Sequence, residues 1–290
     1  MSRWLQAARP QTLTAAISPV LVGAALAYRD DVFAVVPFLA IVVAALSIQV
    51  GVNFANDLAD ARSGADNTAR IGPTRAVSTG LISPAEMRRG IAAAFGLASL
   101  CGLYLIFTAG WVIAVIGVLS IVAALAYTAG PWPYGYRGFG EVFVFLFFGL
   151  AATAGTRYVF DRSAPADAWV ARAVMGLLAA AILEANNIRD LDTDRVAQKM
   201  TLAVMLGRRG ARALYASTLA AVFAVLAVGL LGGVLPPWSA LALLAIPLAV
   251  PLVRTVFREA SGPPLIGVLV GTARLQMLIA LLMGIGALIP

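Results

Sequence analysis

Apolar residues along this chain do not alternate with polar ones at a helical or strand period. They come in long continuous runs. Nine runs stand out, at 11–28, 34–56, 91–109, 111–128, 139–160, 168–188, 212–231, 236–254 and 264–289. A hydrocarbon layer about 30 Å thick is crossed by roughly 20 apolar residues in helical form. An open sheet edge cannot satisfy its backbone in lipid. The pattern therefore predicts an all-α integral membrane protein: nine transmembrane helices in a single domain over 1–290. Pro10 and Pro19 break the first run. It also lacks a clear cleavage site, so it reads as a retained helix rather than a signal peptide.

Composition agrees. The chain is 61% hydrophobic and 12% charged, with a mean hydropathy of +0.91, where an average soluble domain is about a quarter charged. The deficit runs the whole length, which excludes a soluble domain on a single anchor. Histidine is absent. That removes His-ligated metals, Ser-His-Asp triads and histidine acid/base chemistry. The lone Cys101 lies inside the third run, allows no disulfide and reads as a small core residue. A net charge of +7 could suggest nucleic acid, but its distribution follows topology. With nine crossings, 16 of the 21 basic residues fall on the side of the N-terminus, 4 on the other, and Arg274 inside the last run. The positive-inside rule makes the first side cytoplasmic.

Six of the 14 acidic residues sit in two windows: Asp57, Asp60 and Asp66 after the second run, and Asp190, Asp192 and Asp194 after the sixth. These windows begin the two longest loops, both on the expected cytoplasmic side, and long loops in compact proteins are usually functional. If the second run continues as a helix, Asn53, Asn56, Asp57 and Asp60 share one face. Asn186, Asn187, Asp190 and Asp194 do the same on the sixth, while Asp192 lies about 200° from Asp190. The two faces recur four helices apart, which suggests a duplicated four-helix unit plus one helix. Clustered carboxylates need a cation among them, and hard oxygen donors suit Mg²⁺ shared with substrate phosphates. Arg62, Arg70, Arg75, Arg189, Arg195 and Lys199, the only lysine, occupy the same loops. The bland reading is an acidic loop neutralised by these arginines. Two such clusters on one side of the membrane argue against it.

The stretches ARPQTLTAAISPVLVGAALA, GVNFANDLADARSGAD, RIGPTRAVSTG, PYGYRGFGEVFVFLFFGL and NNIRDLDTDRVAQKMTLAVMLG together resemble the UbiA superfamily of membrane prenyltransferases, over essentially the whole chain. Within it they look like the branch that prenylates 1,4-dihydroxy-2-naphthoate for menaquinone biosynthesis. The chain departs from the broader pattern at Gly64, where the last acid of the first motif would stand. Asp66 takes that place, a spacing similar to the naphthoate branch, and this puts Asp66 on a turn.

The resemblance implies a central polar cavity open to the cytoplasm and transfer of a polyprenyl group from an all-trans-polyprenyl diphosphate, with loss of diphosphate and CO₂. It implies two Mg²⁺ ions bridging the diphosphate to Asn56, Asp60 and Asp66 on one side and Asp190 and Asp194 on the other. Asn56, Asp57 and Lys199 become catalytic candidates, Asp57 as a possible base. Arg70, Arg75 and Lys199 would bind diphosphate. Tyr127, Tyr134 and Tyr136 would stabilise an allylic cation by cation–π contact, although an interfacial aromatic belt also explains them. Asn53, Glu184 and Asn187 would face the acceptor pocket, and Arg137 would hold the acceptor carboxylate. Glu184, inside the sixth run, is either functional or a neutral acid bonded to a neighbouring helix. Membrane lipid is the expected surrounding, and a side opening would admit the prenyl tail. Rival readings are the same reaction on another acceptor, such as 4-hydroxybenzoate or homogentisate, and a transporter or channel. A transporter should carry its acids on broken helices near the bilayer centre, whereas these acids sit at the ends of the runs.

Overall fold

The computed structural model describes residues 2–63, 75–128, 130–259 and 262–290. Among them there are only helices and turns. A short helix, α1 (Arg3–Ala8), precedes α2 (Pro10–Arg29), α3 (Val35–Ser63), α4 (Pro84–Ala109) and α5 (Trp111–Ala126). Then come α6 (Gly140–Asp161), α7 (Ala166–Val196), α8 (Leu202–Leu231), α9 (Pro237–Arg258) and α10 (Pro263–Leu288). Eight of these are long and apolar enough to cross a membrane. The fourth expected crossing, α5, is a 16-residue apolar helix, about 24 Å long at 1.5 Å per residue.

Several helices overrun the apolar runs. α3 continues past residue 56 to Ser63, and α7 continues past 188 to Val196. Both aspartate windows therefore begin as helical turns standing out of the apolar layer. α4 starts early, at Pro84, because Ser83 and Glu86 close a reciprocal capping box, which satisfies two of the otherwise orphaned N–H groups. α8 starts at Leu202 with a break at Gly207, whose φ of 66° and ψ of 172° interrupt the helix.

Successive helices pack on one another, and α10 returns to α2 and α7, closing a ring. The ring is uneven. The apolar stretch of α7 is 56% buried and that of α3 only 22%. Leu178, Ile188, Tyr215, Leu219, Leu226 and Ile279 form a solid core among α7, α8 and α10, whereas α3, α4 and α5 form the thinner wall of a cavity. Close approach of α6 to α7 requires glycine: a Cβ on Gly149 would meet the Arg172 carbonyl at 2.6 Å, and one on Gly176 the Phe145 carbonyl at 2.8 Å. Over Phe145–Ala154, α6 is wound as a π-helix. Such widened turns re-aim side chains and are frequent at functional sites.

Val20, Ile41, Leu105, Ile113 and Val159 close the cavity at the end remote from the aspartate windows. Beyond them lies an ion-pair network. Arg29 bonds Asp30 at 2.9 Å and Asp167 at 2.5 Å, and Arg157 bonds Asp30 at 2.8 Å and Asp161 at 2.6 Å. It ties the ends of α2 and α6 to the start of α7.

Candidate active site

The cavity has a volume of about 610 Å³. Ile41 and Asp60, both on α3, line it, so it extends roughly 28 Å at 1.5 Å per residue. One end is polar and holds Asn53, Asn56, Asp60, Arg75, Asn186, Asn187, Asp190, Asp194 and Lys199. The remainder is an apolar tube.

Asp60 is the hub of the polar end. It is 3% exposed. Arg75 pairs with one carboxylate oxygen, while Tyr136 Oη at 2.5 Å and Lys199 Nζ at 2.8 Å donate to the other. Lys199 also lies 4.6 Å from the Tyr136 ring centroid, and its backbone N–H donates to the Asp194 carbonyl at 2.8 Å. One lysine thus joins the two aspartate windows. The loop of Tyr136 is held in turn by its carbonyl, which accepts from Met200 N–H at 3.0 Å. Across the cavity, Arg189 grips Asp190 through both carboxylate oxygens, at 2.7 and 2.5 Å, and reaches Asn186 Oδ1 at 2.9 Å. Asn56 Oδ1 accepts from Thr128 at 2.9 Å.

Aromatic rings form the next layer. Tyr134 stacks on Phe143 with centroids 4.0 Å apart and meets Tyr127 edge-on at 5.4 Å. Phe147 follows Phe143 at 6.2 Å. Burial pushes the Tyr127, Tyr134 and Tyr136 phenols upward; the charges of Glu141 on Tyr127 and of Asp60 on Tyr136 push the same way. All three phenols therefore remain O–H donors.

Several expected site residues do something else. Asp57 does not line the cavity. Its two oxygens accept from the backbone N–H groups of Ala76, at 2.9 Å, and Val77, at 3.0 Å. It holds the returning loop, and with it Arg75, against α3, away from the cavity lining where a base for the acceptor is expected. Asn53 reaches the cavity, but its amide is committed to the Ala8 carbonyl at 2.8 Å and Thr12 Oγ1 at 2.9 Å, fixing the corner between α1 and α2. Arg137 is exposed, 5.6 Å from the Trp132 ring centroid, and outside the cavity lining. Glu184 points to the α7–α8 seam, where it accepts from Thr218 at 2.9 Å. Asp192 bonds Arg208 at the surface. Asp66 and Arg70 lie outside the described residues. Arg9, Thr12, Gln49, Phe143, Phe147 and Phe148 also line the cavity. Arg9 reads as topology in the sequence, and three phenylalanines inside an apolar run carry no signal of their own.

An all-helical ring around a long apolar tube, with acids and cations gathered at one mouth, defines a membrane enzyme for an amphiphilic, anionic substrate. Residues 16–266 match the UbiA prenyltransferase family, and the chain belongs to that family. It is 40% identical over 292 residues to 1,4-dihydroxy-2-naphthoate octaprenyltransferase of Mycobacterium tuberculosis, covering 99% of this chain and 97% of that one. Its fold is that of a UbiA homologue from Aeropyrum pernix, with a TM-score of 0.73 at 18% identity over 96% of this chain and 97% of that one. It is also that of a UbiA homologue from Archaeoglobus fulgidus bound to DMAPP and Mg²⁺, with a TM-score of 0.67 at 15% identity over 99% of each chain.

Proposed function

We propose that this protein transfers a polyprenyl group from an all-trans-polyprenyl diphosphate to 1,4-dihydroxy-2-naphthoate, releasing diphosphate and CO₂ and giving demethylmenaquinol. The carrying observation is the single cavity that joins both aspartate windows to an apolar tube, in a chain 40% identical to an enzyme of that name. The protein crosses the cell membrane nine times, with α5 as the shortest crossing, and its motif end faces the cytoplasm. The excess of basic residues on that side supports the orientation.

Asn56, Asp60, Asp190 and Asp194 supply only oxygen donors at the polar end. Such donors suit Mg²⁺, which keeps several waters and bridges one or two carboxylates to substrate phosphates. Asn56 and Asp60 would hold one ion, with Asp66 as a further ligand from the undescribed loop, and Asp190 and Asp194 a second. Bound there, Mg²⁺ neutralises charge on the leaving diphosphate. Arg75 and Lys199, with Arg70 from the same undescribed loop, bind the diphosphate and would exchange their carboxylate partner for its oxygens. Tyr136 donates from the same side. As the allylic C1–O bond breaks, positive charge grows on carbon beside Tyr127, Tyr134 and Phe143, whose ring faces attract it. The tail occupies the apolar tube, and the ring carbon of the acceptor attacks in a space from which the aromatic layer excludes water. Surrounding lipid supplies the tail through the thin α3–α5 wall.

The test is a transfer assay on purified protein in lipid with a radiolabelled polyprenyl diphosphate, offering 1,4-dihydroxy-2-naphthoate or 4-hydroxybenzoate. Prenylated naphthoquinol, abolished by EDTA and by Asp60→Asn with Asp190→Asn, is expected. Product from 4-hydroxybenzoate alone would keep the mechanism and overturn the acceptor.

A further inference from the structure

Two neighbouring asparagines on α7 line the cavity with their amides locked in opposite senses. Asn186 Oδ1 is taken by Arg189, so its Nδ2 is left for the cavity. Asn187 Nδ2 donates to Glu141 Oε1 at 2.9 Å, so Oδ1 is left, and no donor among the described residues reaches it. Because Glu141 Oε1 is the acceptor of that bond, Glu141 decides which end of the Asn187 amide faces inward. Glu141 reaches it because Gly140 lets α6 approach: a Cβ there would stand 3.0 Å from Leu183. Both side chains are buried, and among the described residues Glu141 Oε2 has no hydrogen-bond partner. Burying a carboxylate with an unsatisfied oxygen opposes stability, so packing alone gives no reason for the pair.

We propose that Asn187 Oδ1 accepts a hydrogen bond from a ring hydroxyl of the aromatic acceptor, and that Glu141 is the positioning residue that holds the amide in that sense. The inference rests on the acceptor being a hydroxynaphthoate. In 1,4-dihydroxy-2-naphthoate the hydroxyl beside the carboxylate bonds internally, so the one at ring position 4 is free to donate. Accepting its proton in a hydrogen bond enriches the ring that must act as carbon nucleophile. Asn186, with Oδ1 taken by Arg189, turns only its donor Nδ2 to the cavity and cannot replace Asn187 in this role.

The experiment measures binding without prenyl diphosphate, on the full chain in lipid nanodiscs, of 4-hydroxy-2-naphthoate and 2-naphthoate. Wild type should bind the hydroxylated ligand about tenfold tighter, the worth of one hydrogen bond. Asn187→Leu and Glu141→Leu should bring that ratio near one. Glu141→Gln, whose Oε1 still accepts from Asn187, should keep most of it. A ratio unchanged in both leucine variants overturns the proposal. A second measurement needs no variant: 4-methoxy-2-naphthoate, which cannot donate, should bind wild type no better than 2-naphthoate, and methoxy binding as tight as hydroxy sinks the idea. If neither naphthoate binds and 1,4-dihydroxy-2-naphthoate is not prenylated, the acceptor reading itself fails, and this inference with it.

Discussion

Two ionic clusters stand at opposite ends of the helix ring, and burial does not tell them apart. Asp60, Arg75, Lys199 and Tyr136 form one; Arg29, Asp30, Arg157, Asp161 and Asp167 form the other. Each contains a nearly buried arginine, Arg75 at 7% and Arg157 at 3% exposure. The difference is what lies beside them. The first opens on a cavity of about 610 Å³, and its cations meet at Asp60, whose place substrate oxygens can take. None of the residues of the second lines that cavity, and its carboxylates already surround each arginine. A charged cluster becomes a candidate site when it has somewhere to put a ligand.

Charge removal separates the two most sharply. Asp60→Asn should lower prenyl transfer by about a thousandfold, the scale of losing a preorganised electrostatic group, far beyond what its loss of stability explains. Arg157→Met should lower the melting temperature alone. It leaves Asp30 and Asp161 facing each other without their shared cation, which costs about 3 kcal/mol for a pair of this burial, while transfer per folded molecule is retained. A calorimetric scan and a turnover assay on the same two preparations check both. If Arg157→Met loses activity while keeping its melting temperature, the distinction collapses.

A smaller effect is expected at Asp57, which belongs to the active end but acts through the backbone. Asp57→Asn exchanges one accepting oxygen for an amide that faces the N–H of Ala76 or Val77. Arg75 loses its anchor, and KM for the polyprenyl diphosphate should rise about tenfold, near the 1.4 kcal/mol of one charge-assisted bond. The turnover number should change less than threefold. A collapse of turnover at unchanged KM would restore Asp57 as a base.

These residues also mark how far the sequence could be read. The apolar runs locate each long helix, because lipid imposes a single constraint on every one of them, but they miss the polar ends by up to ten residues: α8 starts at Leu202 rather than 212, and α3 ends at Ser63 rather than 56. Helical spacing brings Asn56, Asp60, Asp190 and Asp194 to one mouth correctly. It fails for Asp57 and Asp60 as a pair, three positions apart on one face, because spacing does not say that a loop returning 19 residues later will bind the first through its backbone. Arg137 and Glu184 fail for a related reason. Their partners, Trp132 and Thr218, depend on a turn geometry and a helix rotation that no periodicity encodes. The aromatic wall at Phe143 and Phe147 is hidden inside an apolar run and aimed by the π-helical turns of α6.

The weakest expected effect belongs to Asp30, in the passive cluster. Burial alone would raise its carboxyl, but hydrogen bonds from Arg157 and Arg29 outweigh that and hold it below the ordinary 3.8. A carboxylate depressed in the folded state contributes stability that is fully present above its unfolded value and is lost as pH falls through its folded one. The melting-temperature gap between wild type and Asp30→Asn should therefore be constant from neutral pH down to about 3.8 and close below it. Because the Asp30 side chain is 26% exposed, salt should narrow the gap. Melting curves in detergent at two ionic strengths measure both trends, and a gap that instead closes as pH rises would show that this network does not hold Asp30 as an anion.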